Sequence, residues 1–319
     1  MFRDDHDSQA PARQQSDVGH QPVLLDAVLD LLRPRPGMVY LDCTVGRAGH
    51  AAAVAERIGP GGRIIGLDRD AQNVAFAGQR LTAAQGQGTA VDLVHANFAT
   101  ARQILAERGI DGVDLLLADL GFASTQMDDP TRGFSFSADG PLDMRMDRSE
   151  SITAAELINE LSQDTLADLI YQYGEERLSR RIARKIIEQR HQAPMTSTGQ
   201  LAQIVCQVYG PRGRRYRIHP ATRTFMALRI AVNHELESLE RLLEDLPDLL
   251  QPGGVAAVIS FHSLEDRLVK RAFAELRRSG RAELLTRRPV TADDEQCRAN
   301  PRSRSAKLRA IRLAATTGD

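Results

Sequence analysis

Three carboxylates end three apolar runs in the first part of this chain: Asp42 closes MVYLD, Asp68 closes RIIGLD and Asp119 closes VDLLLAD. After the first comes the loop TVGRAGH, residues 44–50, and then an alanine-rich segment. A dinucleotide loop would read G-x-G-x-x-G, whose middle glycine lets a pyrophosphate nest against the helix. This loop has only Gly46 and Gly49, with Arg47 and Ala48 between them and His50 just after. Both glycines lack a Cβ and allow close approach of a ligand. The helix that follows offers the partial positive charge of its unpaired N–H groups. Asp68 is placed to accept hydrogen bonds from two ribose hydroxyls. Together these features describe a nucleoside site; the competing reading makes the acids helix caps and the glycines turns.

A nucleoside carrying an amino-acid tail fits a loop without the pyrophosphate glycine, and S-adenosylmethionine is such a ligand. Asp42 then helps to order its ammonium group, directly or through water. Phe98 follows the third apolar run, where it packs either on an adenine face or into the core. Asp119 opens LADLGFASTQMDD, the place where a second substrate meets the first. Methylating an exocyclic amine requires acceptors that hold its N–H bonds and turn a delocalised lone pair toward the methyl. Asp119 and loop carbonyls meet that need, Gly121 permits close approach, and Phe122 is available to stack on a flipped base. Asp119 alternatively bonds the cofactor or the loop without taking part in chemistry. Methyl transfer from a sulfonium needs no metal, and none is indicated. His262 and Ser263 in FHSLEDR are either substrate contacts or a helix cap, with the cap favoured. His219, before Pro220, is read as structural or phosphate-contacting.

These residues need a frame. Strands are expected at 38–42, 63–68, 91–96, 113–119 and 255–261, with helices at 48–58, 71–81 and 99–108 between the first four. The strands are apolar runs rather than alternations, as parallel strands covered on both faces are. The pattern gives an α/β chain with a doubly wound sheet, whose ligands bind outside the carboxyl ends of the strands. From 120 to about 250 no parallel strand is expected. Residues 120–146 read as a loop. Thr153 with Glu156 and Ser197 with Gln200 read as capping boxes, and Ser162 or Asp164 as another cap. A long helix is expected over 221–244, from Phe225, Leu228, Val232, Leu236, Leu239 and Leu243. Residues 287–304 read as loop and 307–314 as a final edge strand.

Of 319 residues, 42% are hydrophobic and 26% charged, which is ordinary for a soluble globular protein. No apolar run approaches a membrane span of roughly 18 residues. The polar start, residues 1–19, has no signal-peptide core and is expected to be a disordered tail. Cys43, Cys206 and Cys297 form no C-x-x-C pair, so neither zinc nor a disulfide framework is suggested, and a cytoplasmic location is expected. The net charge is −1, yet basic residues cluster. Arg212, Arg214, Arg215 and Arg217 form one group, and Arg177, Arg180, Arg181, Arg184 and Lys185 another. Arg298, Arg302, Arg304, Lys307, Arg309 and Arg312 form a third. Such clusters either hold a polyanion or are solvated faces.

Several blocks resemble one bacterial family, the small-subunit ribosomal RNA methyltransferases that act on cytosine N4 of 16S rRNA. They are GHQPVLLDAVLDLL, LDCTVGRAGH, GLDRD, DLGFASTQMDDPTRGFSFSADGPLDMRMD, YGEERLSRRIARKI, HPATRTFMALRIAVNHEL, SFHSLEDRLVKR and NPRSRSAKLR. The resemblance implies a Rossmann-like S-adenosylmethionine-dependent methyltransferase sheet with an inserted helical domain. It implies a tail at 1–19, a methyltransferase domain at 20–125 and 221–319, and a helical substrate-binding domain at 126–220. It also implies that Ala48, Gly49, His50, Asp68, Phe98, Asp119 and Gln126 bind the cofactor, that Asp119 serves catalysis, and that the partner is 16S rRNA in the small ribosomal subunit. Ala48 stands where the family usually has glycine. Phe122, Ala123 and Thr125 replace a small aliphatic, a serine and a proline beside the substrate base. Two other readings stay open: an amino-group methyltransferase acting on DNA or protein, and a non-catalytic RNA-binding factor. Oligomeric state is left open, a homodimer among the options.

Overall fold

The structure, a computed structural model, describes residues 22–122, 124–211 and 218–315, without the side chains of residues 124 and 125. The tail expected at 1–19, the group Arg212, Arg214, Arg215 and Arg217, residue Ala123 and the Thr125 side chain therefore lie outside the described residues.

Among the described residues, seven strands form one sheet: β1 (Val39–Asp42), β2 (Arg63–Asp68), β3 (Ala90–His95), β4 (Val113–Asp119), β5 (Leu250–Ser260), β6 (Ala282–Leu284) and β7 (Lys307–Leu313). Their order is β3-β2-β1-β4-β5-β7-β6. The first five pair in parallel, and β7 runs antiparallel to both β5 and β6. Strand order reverses between β1 and β4, the point at which such sheets open a crevice for ligands.

Side chains of the strands alternate between two buried layers, because successive Cβ atoms point to opposite faces. Leu41, Ile65, Leu67, Leu116 and Ala118 join one core with the helices Ala101–Glu107, Glu235–Leu249 and Ser263–Arg278. Tyr40, Ile64, Leu115 and Leu117 join the other with the helices Leu25–Leu32, Gly49–Ile58 and Ala71–Gly86. The doubly wound arrangement follows from strands apolar on both faces. A third core lies among the helices that follow β4. It draws on Ile158, Leu166, Ile170, Ile182, Ile186, Leu201 and Val205, and also on Phe225, Leu228 and Val232 of the helix Thr222–Val232. Both expected capping boxes are present, Thr153 with Glu156 and Ser197 with Gln200, and Ser162 accepts from Thr165 N.

Five expectations need correction. Residues 120–146 are not all loop, since they hold the short helix Ser124–Asp128 and the 3-10 turn Pro130–Arg132. The single helix over 221–244 is two, Thr222–Val232 and Glu235–Leu249. The break falls where His234 adopts φ of 48° and Asn233 is fully buried in a hydrogen-bond cluster that a continuous helix would not allow. Strand β5 begins at Leu250, so QPGG lies within it rather than ahead of it. Strand β7 is not the edge: the three-residue β6, too short to show a pattern, pairs outside it. Residues 287–304 are not all loop, since Asp293 and Gln296 cap a helix at Asp294–Ala299.

Candidate functional site

The carboxyl ends of β1, β2, β4 and β5 border a cavity of about 360 Å³. It is lined by Gly46, Gly49 and His50 after β1, by Asp68, by Phe98 after β3, by Asp119 and by Gln126. Six of the seven expected cofactor residues thus face one space. Ala48 is the exception. Its residue is fully buried and its methyl belongs to the core beneath the sheet, so the departure from glycine is not presented to the cavity. Ala48 holds φ of 57°, which normally favours glycine, and its N–H donates to Val45 O at 2.7 Å.

The loop is tied down by the acids around it. Gly46 N donates to Asp68 Oδ2 at 2.8 Å, while Asp68 Oδ1 accepts from Asp70 N at 2.8 Å and Asn73 Nδ2 at 3.2 Å. A carboxylate has about four lone-pair sites. Three are engaged by the protein, so Asp68 has room for one further donor, not the two ribose hydroxyls expected from its position. Burial raises its pKa, against the hydrogen bonds from Asp70, Asn73 and Gly46. Gly49 is needed for a different contact than expected: a Cβ there would meet Pro22 Cγ at 2.6 Å. Asp42 does not line the cavity. It is 2% exposed, accepts from Tyr40 OH at 2.9 Å and Thr44 N at 3.1 Å, and supports the turn from behind. Burial pushes its carboxyl up to about 7.

Asp119 is held differently from the other two acids. Thr44 Oγ1 accepts from its backbone N–H at 2.7 Å, and Oδ2 lies 3.8 Å from His50 Nδ1. Its Oδ1 is buried and has no hydrogen-bond partner. Burial, with the charges of Asp42 and Glu265, raises its pKa to about 8. His50 Nε2 contacts the carbonyl of Val23 at 3.0 Å, which places the proton on Nε2 and leaves Nδ1 as an acceptor. Burial lowers the His50 pKa to about 4, so the ring is neutral.

Gln126 is buried and donates through Nε2 to Asp70 Oδ2 at 2.7 Å, where Arg132 Nη1 also donates at 2.7 Å. Asp70 Oδ1 caps the helix Ala71–Gly86 by accepting from Gln72 N. Sequence reasoning missed Asp70 and Arg132: a cap is all that the local pattern of GLDRD shows, and the arginine is distant in sequence. It also missed Asn233, whose Oδ1 accepts from Met146 N at 2.7 Å and whose Nδ2 donates to the carbonyls of Met144 and Arg229. Arg69 donates to the carbonyl of Asn233. These bonds fix the segment that carries Met146 to the cavity wall.

Phe122 lines the cavity but is already stacked on Phe134, with centroids 5.2 Å apart and planes 11° apart. The Arg229 guanidinium lies 4.8 Å from its centroid, and that arginine is paired bidentately with Glu235 at 2.8 Å. Phe98 both packs against the core and lines the cavity, so its two readings are compatible. Asn97 caps the turn Phe98–Thr100.

His262 caps its helix: Nδ1 accepts from Glu265 N at 3.4 Å, and Glu265 Oε2 accepts from Phe261 N at 2.8 Å. Ser263 and Arg267 both donate to Glu175, joining this helix to the helical unit. Glu235, His262 and Glu265 come within metal-ligand reach of one another, but Arg229 engages Glu235 and backbone N–H groups engage Glu265. His219 is exposed but held in place. Its ring stacks on Phe136 at 4.5 Å and Nδ1 accepts from Ala221 N. The basic clusters divide: Arg181 binds the carbonyl of Val208, Arg184 and Lys185 pair with Glu188, and Lys307 and Arg309 pair with Asp266, whereas Arg302 lines the cavity. Among the described residues no helix is long and apolar enough to cross a membrane.

The chain is similar to curated bacterial proteins over almost its whole length. A protein of Sorangium cellulosum named "Ribosomal RNA small subunit methyltransferase H" is 53% identical over 293 residues, covering 92% of this chain and 90% of that one. Proteins of the same name from Pelobacter propionicus and Koribacter versatilis are 49% and 46% identical. They cover 92% and 96% of this chain, and 97% and 98% of their own. Residues 17–314 match the MraW methylase family, and to that family the chain belongs.

Proposed function

We propose that this protein methylates the exocyclic N4 of a cytosine in the 16S rRNA of the small ribosomal subunit, with S-adenosylmethionine as donor. The observation that carries this reading is Asp119: a carboxylate at the strand-order reversal, with one oxygen unpartnered in the wall of the cavity. A buried acceptor left without a donor is costly unless a ligand supplies one.

The residues present fit the donor. Asp68 retains one acceptor position for a ribose hydroxyl, Phe98 presents an apolar wall for a base, and the loop at 46–50 presents backbone without bulk. Gln126 bounds the other side. S-adenosylmethionine, when bound, supplies an electrophilic methyl on a positively charged sulfur. The chain's own task is to hold the amine. Asp119 and loop carbonyls accept from the two N–H bonds and so aim the nitrogen lone pair. A positive charge in the cavity draws Asp119 toward its carboxylate form, reversing the rise that burial causes. The alkylated nitrogen is acidic and releases its proton to water, so no strong base is required.

The helical unit at 126–220, with the helix Thr222–Val232 packed on it, supplies the RNA-binding surface in this reading. Its support is the basic face of the helix Ser179–Arg190. The test offers labelled donor with assembled small subunits, naked rRNA and duplex DNA. Label is expected in the small-subunit samples. Label confined to naked rRNA and DNA rejects the assembled subunit as substrate.

A further inference from the structure

Five arginines line the cavity: Arg47, Arg69, Arg80, Arg229 and Arg302. Four have evident structural partners. Arg47 lies 3.7 Å over the Phe76 ring, Arg80 donates to the Arg47 carbonyl, Arg69 donates to Asn233 O and Glu150, and Arg229 is paired with Glu235. Arg302 differs. Its backbone N–H is capped by Asn300 Oδ1 at 3.1 Å, but among the described residues its guanidinium makes no hydrogen bond or ion pair. Asp128 is the one carboxylate whose charge acts on it appreciably, and burial outweighs that influence and lowers its pKa. A partly buried guanidinium with no anion against it is only partly hydrated, and an anionic ligand would complete its contacts. Its planar fork matches phosphate or carboxylate oxygens.

The sheet order separates those two anions. The nucleoside end of the cavity lies at β2 and β3, with Asp68 and Phe98, and the reacting end lies at Asp119 on β4. Arg302 and Ser305 precede β7, beyond Phe261, which follows β5. In the sheet β7 is two strands past β4, about 10 Å along the rim at ordinary strand spacing. That is the side from which the acceptor, not the donor, must enter. Asp128, which faces Arg302 electrostatically, belongs to the segment after β4 that borders the acceptor.

We propose that Arg302, with the Ser305 hydroxyl beside it, clamps a phosphate flanking the target cytosine and so registers the RNA strand against Asp119. The proposal rests on the rRNA reading above. It assigns a positioning role, so its signature is substrate affinity rather than the chemical step.

The experiment measures methyl transfer to small subunits, calorimetric binding of S-adenosylhomocysteine, and binding of cytidine against cytidine monophosphate, for wild type, Arg302→Gln and Arg302→Lys. The clamp predicts that wild type prefers the nucleotide to the nucleoside about tenfold or more, the range of a charge-assisted hydrogen bond. Arg302→Gln should abolish that preference and raise the RNA KM by a similar factor, with S-adenosylhomocysteine binding unchanged. Arg302→Lys should fall between. Loss of S-adenosylhomocysteine affinity with an unchanged RNA KM assigns Arg302 to the donor's carboxylate and overturns the clamp. No preference for the nucleotide in wild type overturns it without reference to any variant. Wild type that labels subunits while Arg302→Gln is unaltered overturns the clamp alone; wild type that labels none overturns the rRNA reading and the clamp with it.

Discussion

Nδ1 of His50 faces Oδ2 of Asp119 across 3.8 Å, and the tautomer that allows this is set by the contact of Nε2 with the Val23 carbonyl. The neutral ring is therefore an acceptor toward a carboxyl whose pKa is raised to about 8. At 3.8 Å the two atoms lie beyond hydrogen-bond distance, so the acid holds its proton without sharing it with the ring.

This relationship has a pH signature in the ligand-free protein. Asp119 binds its proton more tightly folded than unfolded, as does Asp42 with its pKa near 7. Their contributions are complete below the unfolded carboxyl range and are lost as pH rises through about 7 and about 8. His50, lowered to about 4, acts in the opposite sense and costs stability only as pH falls below about 6.5. Between about pH 6.5 and 8 the carboxyls act alone. The wild-type melting temperature should fall across that window, and Asp119→Asn should flatten the fall. At pH 8 the variant should be the more stable by about 1 kcal/mol or more, roughly 1–2 °C, while losing methyl transfer. A variant less stable than wild type at pH 8 would contradict the assignment.

Asn233 joins the end of one helix to the segment at 144–146 with two side-chain hydrogen bonds, and a third returns to the Arg229 carbonyl of its own helix. Asn233→Ala leaves Met146 N and the Met144 carbonyl without a partner in the interior, while the Arg229 carbonyl keeps the backbone N–H of residue 233. Urea unfolding should show a loss of about 3 kcal/mol. The RNA KM should also rise, because Met146 then leaves its place in the wall. A change under about 1 kcal/mol would show that the helix break is maintained by something else.

Arg132 and Asp70 form an ion pair in which both side chains are almost fully buried, at 4% and 7% exposure. Arg132→Ala strands a carboxylate and should cost about 3–5 kcal/mol. Arg132→Met combined with Asp70→Asn removes both charges and should recover a large part of that loss. Additive losses in the double variant would refute the coupling.

Ala48→Gly separates backbone strain from ligand contact. The left-handed alanine costs about 1–2 kcal/mol, and the glycine loses a buried methyl of about 0.8 kcal/mol and gains unfolded-state freedom. These nearly cancel, so stability should change by less than about 1 kcal/mol. Calorimetry should show an S-adenosylmethionine affinity within about twofold of wild type. A larger gain in affinity would place the methyl at the ligand after all.

What could be read from the sequence was local or periodic. Apolar runs ending in Asp42, Asp68 and Asp119 gave the parallel strands and the rim, because a strand's last residue is fixed by where its apolar run stops. The capping boxes at Thr153 and Ser197 are local reciprocal bonds and were legible for that reason. The break at Asn233 was not, since an uninterrupted leucine spacing conceals a side chain drawn off by Met144 and Met146 far along the chain. Three residues of β6 carry no period. Asp70 reads as a cap until Arg132 and Gln126 are brought to it, and Arg302 reads as one of a basic cluster until the other cavity arginines are seen to be paired.

The most direct test digests small-subunit rRNA to nucleosides after incubation with labelled S-adenosylmethionine and either wild type or Asp119→Ala. The account predicts label on N4 of a cytidine with wild type and none above background with Asp119→Ala. Label on another atom or another nucleoside, or equal labelling by the two proteins, would contradict it.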